Sequence, residues 1–248
     1  MKTYDFFTDY YDEIIRWNGY SLEDEIFLID ELIEKNSFWA IDILEVACGT
    51  GVVAKQLEKK WYNVIGLDIS EKMLKKAEKI FSKEKLILWD MTNFDLEKEF
   101  DVVLCNNNSI NHLLTLEDWE KFFDMAKLHL KKWWILIFDI LTIFEFENIS
   151  RDFRWFFNVW KDTICLEMFK KDNNIFQWLV KMFIYQNDKF LENRYKLIEE
   201  QVSEISFEID FIKEILEKHN FEIVKTEDYH KWIVDKNSER VYFVAKKI

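Results

Sequence analysis

The stretch Ile43-Leu44-Glu45-Val46-Ala47-Cys48-Gly49-Thr50-Gly51 decides the fold of this chain. An apolar run enters it, and a helical pattern leaves it from Val52 onward. The stretch holds two of only four glycines in 248 residues. A strand that ends in a glycine turn and opens a helix presents free backbone N–H groups to a ligand. The sequence therefore predicts that a cofactor binds at this turn.

Short apolar runs alternate with helical patterns on both sides of the glycine turn. Such alternation is typical of βαβ units and predicts an α/β protein with a mostly parallel sheet. Ser21 and Ser70 are predicted to cap the second and fourth helices. Strands are expected over 42–48, 63–69, 85–91, 100–106 and 134–140, and helices over 3–16, 21–35, 52–60, 71–82 and 117–131.

The spacing of the apolar residues changes after residue 142. Residues 153–171 and 175–202 are rich in aromatic and β-branched side chains, and Asp172-Asn173-Asn174 is a turn signal between them. We expect antiparallel strands inserted here, before a last helix over 208–219 and strands over 221–229 and 240–247. The predicted parts of the chain are 1–141, an insertion at 142–205, and 206–248.

Composition limits the partners and the compartment. The net charge is −13 and the pI is about 4.9, which disfavours a surface that tracks phosphates, so no nucleic acid partner is expected. The three cysteines form no CxxC and fit a reducing compartment. No apolar run approaches the roughly 18 residues of a membrane span. We therefore expect a cytoplasmic protein without a membrane partner.

The balance of glycine, proline and tryptophan is unusual. The chain has 4 glycines, no proline and 11 tryptophans, whereas average usage gives roughly 17 glycines and 12 prolines in this length. Trp61 follows a helix and Trp133-Trp134 precede a strand, where a turn favours glycine. This pattern indicates a sequence altered from a natural parent; a natural but biased composition is the alternative.

Two acidic residues narrow the identity of the ligand. Asp68 ends the second predicted strand, where a carboxylate can accept both hydroxyls of a ribose. The turn also fits an alanine-ended variant of the dinucleotide fingerprint, which would indicate an NAD-dependent oxidoreductase. Glu45 inside the first strand argues against a pyrophosphate, because a carboxylate there repels phosphate and can orient an ammonium group. That difference favours a nucleoside that carries an amino acid.

The order of these motifs resembles the class I S-adenosylmethionine-dependent methyltransferases, in particular the small-molecule type of about 250 residues. The resemblance rests on Glu45 to Gly51, Gly66-Leu67-Asp68-Ile69-Ser70, Met73-Leu74, Asp90-Met91 and Phe100 to Cys105, and it covers residues 40–140 well. It implies a Rossmann-like, seven-stranded mixed sheet with helices on both faces and an antiparallel β insertion. It also implies S-adenosylmethionine as cofactor and S-adenosylhomocysteine as product.

The resemblance assigns residues of this chain to parts of the cofactor. The glycine turn would contact the methionine part, with Glu45 near its amine, and Asp68 would bind the ribose. The adenine would lie between residues after the second and third strands. The full set of implied cofactor-binding residues is Tyr11, Glu45, Ala47, Cys48, Gly49, Gly51, Asp68, Ile69, Met73, Asp90, Met91 and Asn106.

The acceptor of the methyl group is expected at the residues that follow the fourth strand. Asn107 and His112 are the candidate catalytic residues there, with His112 as the nearby base; the alternative is a capping loop with an ordinary surface histidine. No cluster predicts a metal site. We expect a small-molecule acceptor and a homodimer formed through the insertion. Trp89, which precedes Asp90, is expected to crowd the adenine pocket, so an impaired methyltransferase-fold scaffold is a further alternative.

Overall fold

The structure, a computed structural model, describes residues 6–15, 21–152, 154–172, 174–187, 194–231 and 233–248. A 3-10 turn over Phe7–Asp9 comes before the first helix. The helices are α1 (Tyr11–Ile15), α2 (Leu22–Asn36), α3 (Val52–Lys59), α4 (Glu71–Ala77), α5 (Leu116–His129), α6 (Ile143–Asp152) and α7 (Ile209–Lys218). The strands are β1 (Asp42–Val46), β2 (Asn63–Asp68), β3 (Leu86–Leu88), β4 (Phe100–Cys105), β5 (Leu130–Leu141), β6 (Arg154–Val159), β7 (Asp162–Asp172), β8 (Ile175–Gln186), β9 (Arg194–Ile205), β10 (Phe221–Asp228) and β11 (Arg240–Lys247).

Seven strands form one mixed sheet in the order β10-β11-β5-β4-β1-β2-β3. Strands β1 to β5 run parallel to one another, and β11 is antiparallel to both β5 and β10. The chain leaves β1 toward β2 on one side and returns to β4 on the other, so the strand order reverses at β1. Open α/β sheets bind their ligands at the carboxyl ends of the strands where this reversal occurs. The glycine turn follows β1 at that place.

Helices cover both faces of the sheet, as the alternating pattern predicts. Val102 and Leu104 of β4 belong to the apolar cluster that α2 and α3 complete with residues such as Leu32. Val103, between them in the strand, belongs to the opposite cluster with Phe122 of α5. Successive side chains of a strand point to opposite faces, so a strand covered on both faces is apolar throughout. The expected seven-stranded sheet with helices on both faces is confirmed.

The insertion contains a second, antiparallel sheet in the order β6-β7-β8-β9. The turn signal predicted at Asp172-Asn173-Asn174 falls between the end of β7 at Asp172 and the start of β8 at Ile175; Asn173 lies outside the described residues, and the φ of Asn174 is +63°. Asparagine tolerates this left-handed backbone better than most residues. The inner face of the sheet packs against the N-terminal residues through Phe7 and Ile14, which share an apolar cluster with Ile164.

The structure differs from the sequence predictions in five elements. The helix predicted over 71–82 ends at Ala77. The helix α6 was not predicted; it follows Thr142, whose hydroxyl accepts a hydrogen bond from the Glu145 N–H at 3.1 Å, a capping signal that its aromatic composition obscured. The helix predicted over 117–131 ends at His129, and β5 begins at once. β3 is a short strand of three residues. The helix predicted over 3–16 is a 3-10 turn and a short helix within 6–15, and its remaining residues lie outside the described ones.

Three exposed tryptophans have a left-handed backbone. The φ angles are +74° at Trp61, +73° at Trp133 and +55° at Trp160. A Cβ atom makes this conformation costly, and glycine adopts it without cost. The expected conflict between tryptophan and a backbone that favours glycine is confirmed at Trp61 and Trp133, but Trp133 lies within β5 and not in a turn before it, and Trp134 has no positive φ. Trp160, in the two-residue loop between β6 and β7, was not predicted.

Candidate active site

The glycine turn needs its two glycines for two different reasons. Both have positive φ, +54° at Gly49 and +74° at Gly51. A Cβ atom on Gly51 would lie 2.9 Å from the Cβ of Ala77, so α4 packs too closely for any side chain there. A Cβ atom on Gly49 would meet nothing within 4 Å. The backbone of Gly49 therefore faces open space, whereas Gly51 lets the turn pack closely against α4. Ala47 is also left-handed, with φ +57°.

Asp68 holds the glycine turn in place from the end of β2. One carboxylate oxygen accepts the N–H of Gly49 at 2.8 Å, and the other accepts the N–H of Ser70 at 2.7 Å. Burial raises the pKa of the Asp68 carboxyl, and the N–H groups of Ser70 and Gly49 counteract that rise. The acid thus fixes two backbone segments that meet at the carboxyl edge of the sheet.

A small cavity lies beside the glycine turn. Glu45 is 3% exposed, and its Oε2 atom has no hydrogen-bond partner. Burial raises its pKa well above the usual value, and the charges of Glu25 and Asp68 add to that rise. A buried carboxylate oxygen without a partner, at the wall of a cavity, favours a cationic ligand group. The predicted residues that line this cavity are Tyr11, Glu45, Ala47, Cys48, Gly49, Asn106 and Asn107.

Other predicted cofactor residues do not line this cavity. Ile69 is 65% exposed, Met73 is buried against the fold, and Met91 packs against the larger apolar cluster of the sheet. Asp90 is half-buried and accepts the Thr92 N–H at 2.8 Å. These four residues follow β2 and β3, to one side of the cavity.

A buried arginine network supports the cavity from the opposite side. The guanidinium of Arg240 donates to Asp139 at 2.7 Å, to Glu25 at 2.9 Å and to the side-chain oxygen of Asn106 at 3.4 Å. Asn106 in turn donates to Glu25 at 2.9 Å. The charge of this arginine is therefore balanced by two carboxylates, and the network joins β11, β5, α2 and the residues after β4.

A second and larger cavity, of about 140 Å³, lies between the sheet and the insertion. The polar part of its wall comes from Asn107, Asn108, His112, Glu145, Glu204 and Arg240. Its apolar part comes from the N-terminal residues and the insertion, and comprises Phe7, Ile14, Ile15, Leu141, Ile149, Trp155, Leu166, Trp178, Val180 and Val202. Tyr11 and Asn107 line both cavities, so the two adjoin at this pair.

Residues 6–15, which we call the N-terminal strap, cross both cavities and are attached at each end. The carboxylate of Asp12 accepts the Thr50 hydroxyl at 2.6 Å in the glycine turn. On the insertion side, the hydroxyl of Tyr10 donates to Asp162 at 2.7 Å, and Glu200 accepts the N–H groups of Phe6 and Phe7.

Comparison with known proteins decides the family. Residues 43–132 match a family described as a methyltransferase domain. A protein named as a methyltransferase in Geobacillus sp. (strain WCH70) is 27% identical over 99% of this chain and 100% of its own length. The crystal structure of an S-adenosylmethionine-dependent methyltransferase from Clostridium acetobutylicum superposes with a TM-score of 0.83 at 25% identity and covers 98% of each chain.

The chain belongs to the class I S-adenosylmethionine-dependent methyltransferases. S-adenosylmethionine is the cofactor of this family, and an NAD-dependent oxidoreductase is no longer an alternative. A further relative of this methyltransferase is the dTDP-3-amino-3,4,6-trideoxy-alpha-D-glucopyranose N,N-dimethyltransferase of Streptomyces venezuelae, which is 32% identical over 44% of this chain and 46% of its own length.

The structure adds site residues that sequence reasoning missed. Glu204 and Arg240 lie far along the chain from the glycine turn, and no motif marks Glu204 in the alternating strand that contains it. Arg240 begins the last strand, and nothing in the sequence predicts its burial. Over the residues that the structure describes, no group of side chains could hold a metal ion, and no helix has the length and apolar character to cross a membrane.

Proposed function

We propose that this methyltransferase moves a methyl group from S-adenosylmethionine to a small-molecule acceptor held in the larger cavity. The observation that carries the proposal is the junction of the two cavities at Tyr11 and Asn107. One cavity adjoins the glycine turn of the methyltransferase domain, and the other is mostly apolar and bounded by the insertion. A donor and an acceptor bound in these cavities would be neighbours, as direct transfer requires.

The residues around the glycine turn fit the cofactor by their chemistry. The unpartnered carboxylate oxygen of Glu45 suits the ammonium group of the methionine part, and the backbone at Gly49 leaves room beside it. Asp68 would accept the ribose hydroxyls with lone pairs that its two backbone partners leave free. Ile69, which follows β2, and Asp90 and Met91, which follow β3, would then flank the adenine.

A small acceptor is supported by the size of the larger cavity and by the relatives. A cavity of roughly 150 Å³ binds benzene in another protein, so a cavity of about 140 Å³ suits a compact ring or chain. The Streptomyces venezuelae relative is named for an amino-sugar substrate. We propose that residues 142–205 act as the substrate cap, because their side chains form most of the apolar wall.

The bound cofactor supplies an activated methyl group on a sulfonium, so the chain mainly positions the acceptor and excludes water. The N-terminal strap and the insertion enclose the acceptor. Asn107 would orient it from the shared wall. His112 would accept the proton that the acceptor loses, since it lines the same cavity.

Isothermal titration with S-adenosylhomocysteine tests the cofactor site, and methyl transfer to a panel of small amines, alcohols and carboxylic acids tests the activity. We expect binding and turnover. The His112→Asn variant should keep its affinity for the product but lose most of kcat. Binding without turnover across the panel would support an impaired scaffold instead. The absence of product binding would refute the proposed cofactor site.

The homodimer through the insertion stays a prediction. The outer face of the β6–β9 sheet exposes Phe156, Phe169 and Leu197 at 65%, 45% and 50%, and such a face needs a cover. Light scattering coupled to gel filtration tests it, and a monomer at high concentration would refute it.

A further inference from the structure

The wall of the larger cavity contains one fully buried carboxylate, that of Glu204. Glu204 is 3% exposed and is the last residue but one of β9. One of its oxygens accepts the side-chain N–H of Asn108 at 2.9 Å, and the other accepts the indole N–H of Trp178 at 2.6 Å. The Nε2 atom of His112 lies 3.5 Å from the first oxygen. Neutral donors on two sides therefore fix the orientation of this carboxylate without cancelling its charge.

The charges that face Glu204 favour a positive ligand. Besides Glu204 the cavity wall contains Glu145, His112 and Arg240. The guanidinium of Arg240 is bonded to Asp139 and Glu25, whose two carboxylates balance its charge. The remaining wall is apolar, so water screens the field of the carboxylates poorly. Burial also raises the pKa of Glu204, and an incoming cation would relieve that cost.

We propose that Glu204 forms an amine subsite, so that the methyl acceptor is a primary or secondary amine on a compact apolar body. This inference rests on the proposed function and specifies its acceptor. An amine enters as its ammonium ion, pairs with the Glu204 carboxylate, and passes one proton to His112. The neutral nitrogen then forms a bond to the methyl carbon while the carbon–sulfur bond breaks, and the electron pair of that bond stays on sulfur.

The charge at Glu204 separates this acceptor class from others. A carboxylic acid would be repelled by Glu204 and Glu145 in the cavity. An alcohol would gain a hydrogen bond but no ionic attraction. An amine gains both, and its apolar part removes apolar surface from water against Trp155 and Leu166.

The test compares probes of one shape and different charge. Cyclohexylamine, cyclohexanol and cyclohexanecarboxylate are titrated calorimetrically into the protein at neutral pH without cofactor. We expect the amine to bind most tightly and the carboxylate not to bind. Glu204→Gln should lower the affinity for cyclohexylamine about tenfold or more and should change the affinity for cyclohexanol by no more than about twofold. The control Glu199→Gln, on the exposed side of the same strand, should change neither.

Two results would overturn the amine subsite. One is equal affinity of the unaltered protein for cyclohexanol and cyclohexylamine, a comparison that needs no variant. The other is unchanged amine affinity in Glu204→Gln with an unfolding midpoint near that of the parent protein. Titration of S-adenosylhomocysteine is done separately. If the product binds and the amine does not, the acceptor class is wrong and the proposed function stands. If the amine binds and the product does not, the amine subsite stands and the proposed cofactor site is wrong.

Discussion

Replacing Trp61 by glycine should stabilise this protein. Trp61 has φ +74° and is 92% exposed, so its ring contributes almost no burial to the fold. An L-residue in left-handed backbone costs about 1–2 kcal/mol. Glycine removes that cost but gives the unfolded chain more freedom, which costs about 0.4–1 kcal/mol. The expected net gain is about 1 kcal/mol.

Two matched variants separate strain from the mere loss of an exposed ring. Trp61→Ala also removes the ring but keeps the Cβ atom, so it should leave the stability within about 0.5 kcal/mol of the parent. Trp39 is 79% exposed and has no positive φ, so Trp39→Gly should destabilise. Trp133→Gly should gain less stability than Trp61→Gly. The Trp133 ring lies 4.7 Å from the Lys132 ammonium, and the glycine variant loses that cation–π contact.

Urea and thermal unfolding measure these differences. A gain of about 1 kcal/mol raises the midpoint by about 2–4 °C in a chain of this size. The reasoning fails if Trp61→Gly is no more stable than Trp61→Ala, or if it loses as much stability as Trp39→Gly.

Three further changes test the site. Glu45→Gln should raise the unfolding midpoint of the cofactor-free protein at neutral pH, because it removes a buried charge, and should weaken S-adenosylhomocysteine binding. Since the folded-state pKa of Glu45 is raised, this gain should shrink as the pH falls toward the ordinary pKa of glutamate; a gain that does not vary with pH would contradict the assignment. Asp12→Ala removes the 2.6 Å contact to Thr50 and should speed hydrogen exchange in residues 6–15, measured by mass spectrometry, whereas unchanged exchange would show that this contact does not hold the strap. Arg240→Met leaves Asp139 buried without its positively charged partner and should cost about 3–5 kcal/mol in urea unfolding. A loss below about 1 kcal/mol would show that the stability of the fold does not depend on this network.

The parts of the fold that sequence predicts best are those with local signals. The glycine turn after β1, the serine cap of α2 and the run of parallel strands all follow from residues that lie close together in the chain. Ser21 accepts the Asp24 N–H at 3.4 Å, in the position that its place before an apolar helical pattern indicates. Such features need no knowledge of the rest of the molecule.

The acceptor side of the site depends on distant pairs, and the sequence gives no local signal for them. His112 and Glu204 lie 3.5 Å apart, although His112 is in a 3-10 turn after β4 and Glu204 is in the second sheet. The helix α6 is hidden because its aromatic residues suit a strand as well as a helix. The loop between β6 and β7 is hidden because tryptophan, unlike glycine or asparagine, is not a turn residue.

The left-handed tryptophans also bear on the gene. The chain has 11 tryptophans and 4 glycines, and Trp61, Trp133 and Trp160 have backbone angles that glycine favours. A codon that is translated differently in different genetic codes would account for both the many tryptophans and the few glycines, because UGA is translated as tryptophan in some codes and as glycine in others. We expect that the cells from which this gene comes make the protein with glycine at these three positions. Peptide sequencing of the protein from those cells would decide, and tryptophan there would mean that selection has kept a strained backbone at all three positions.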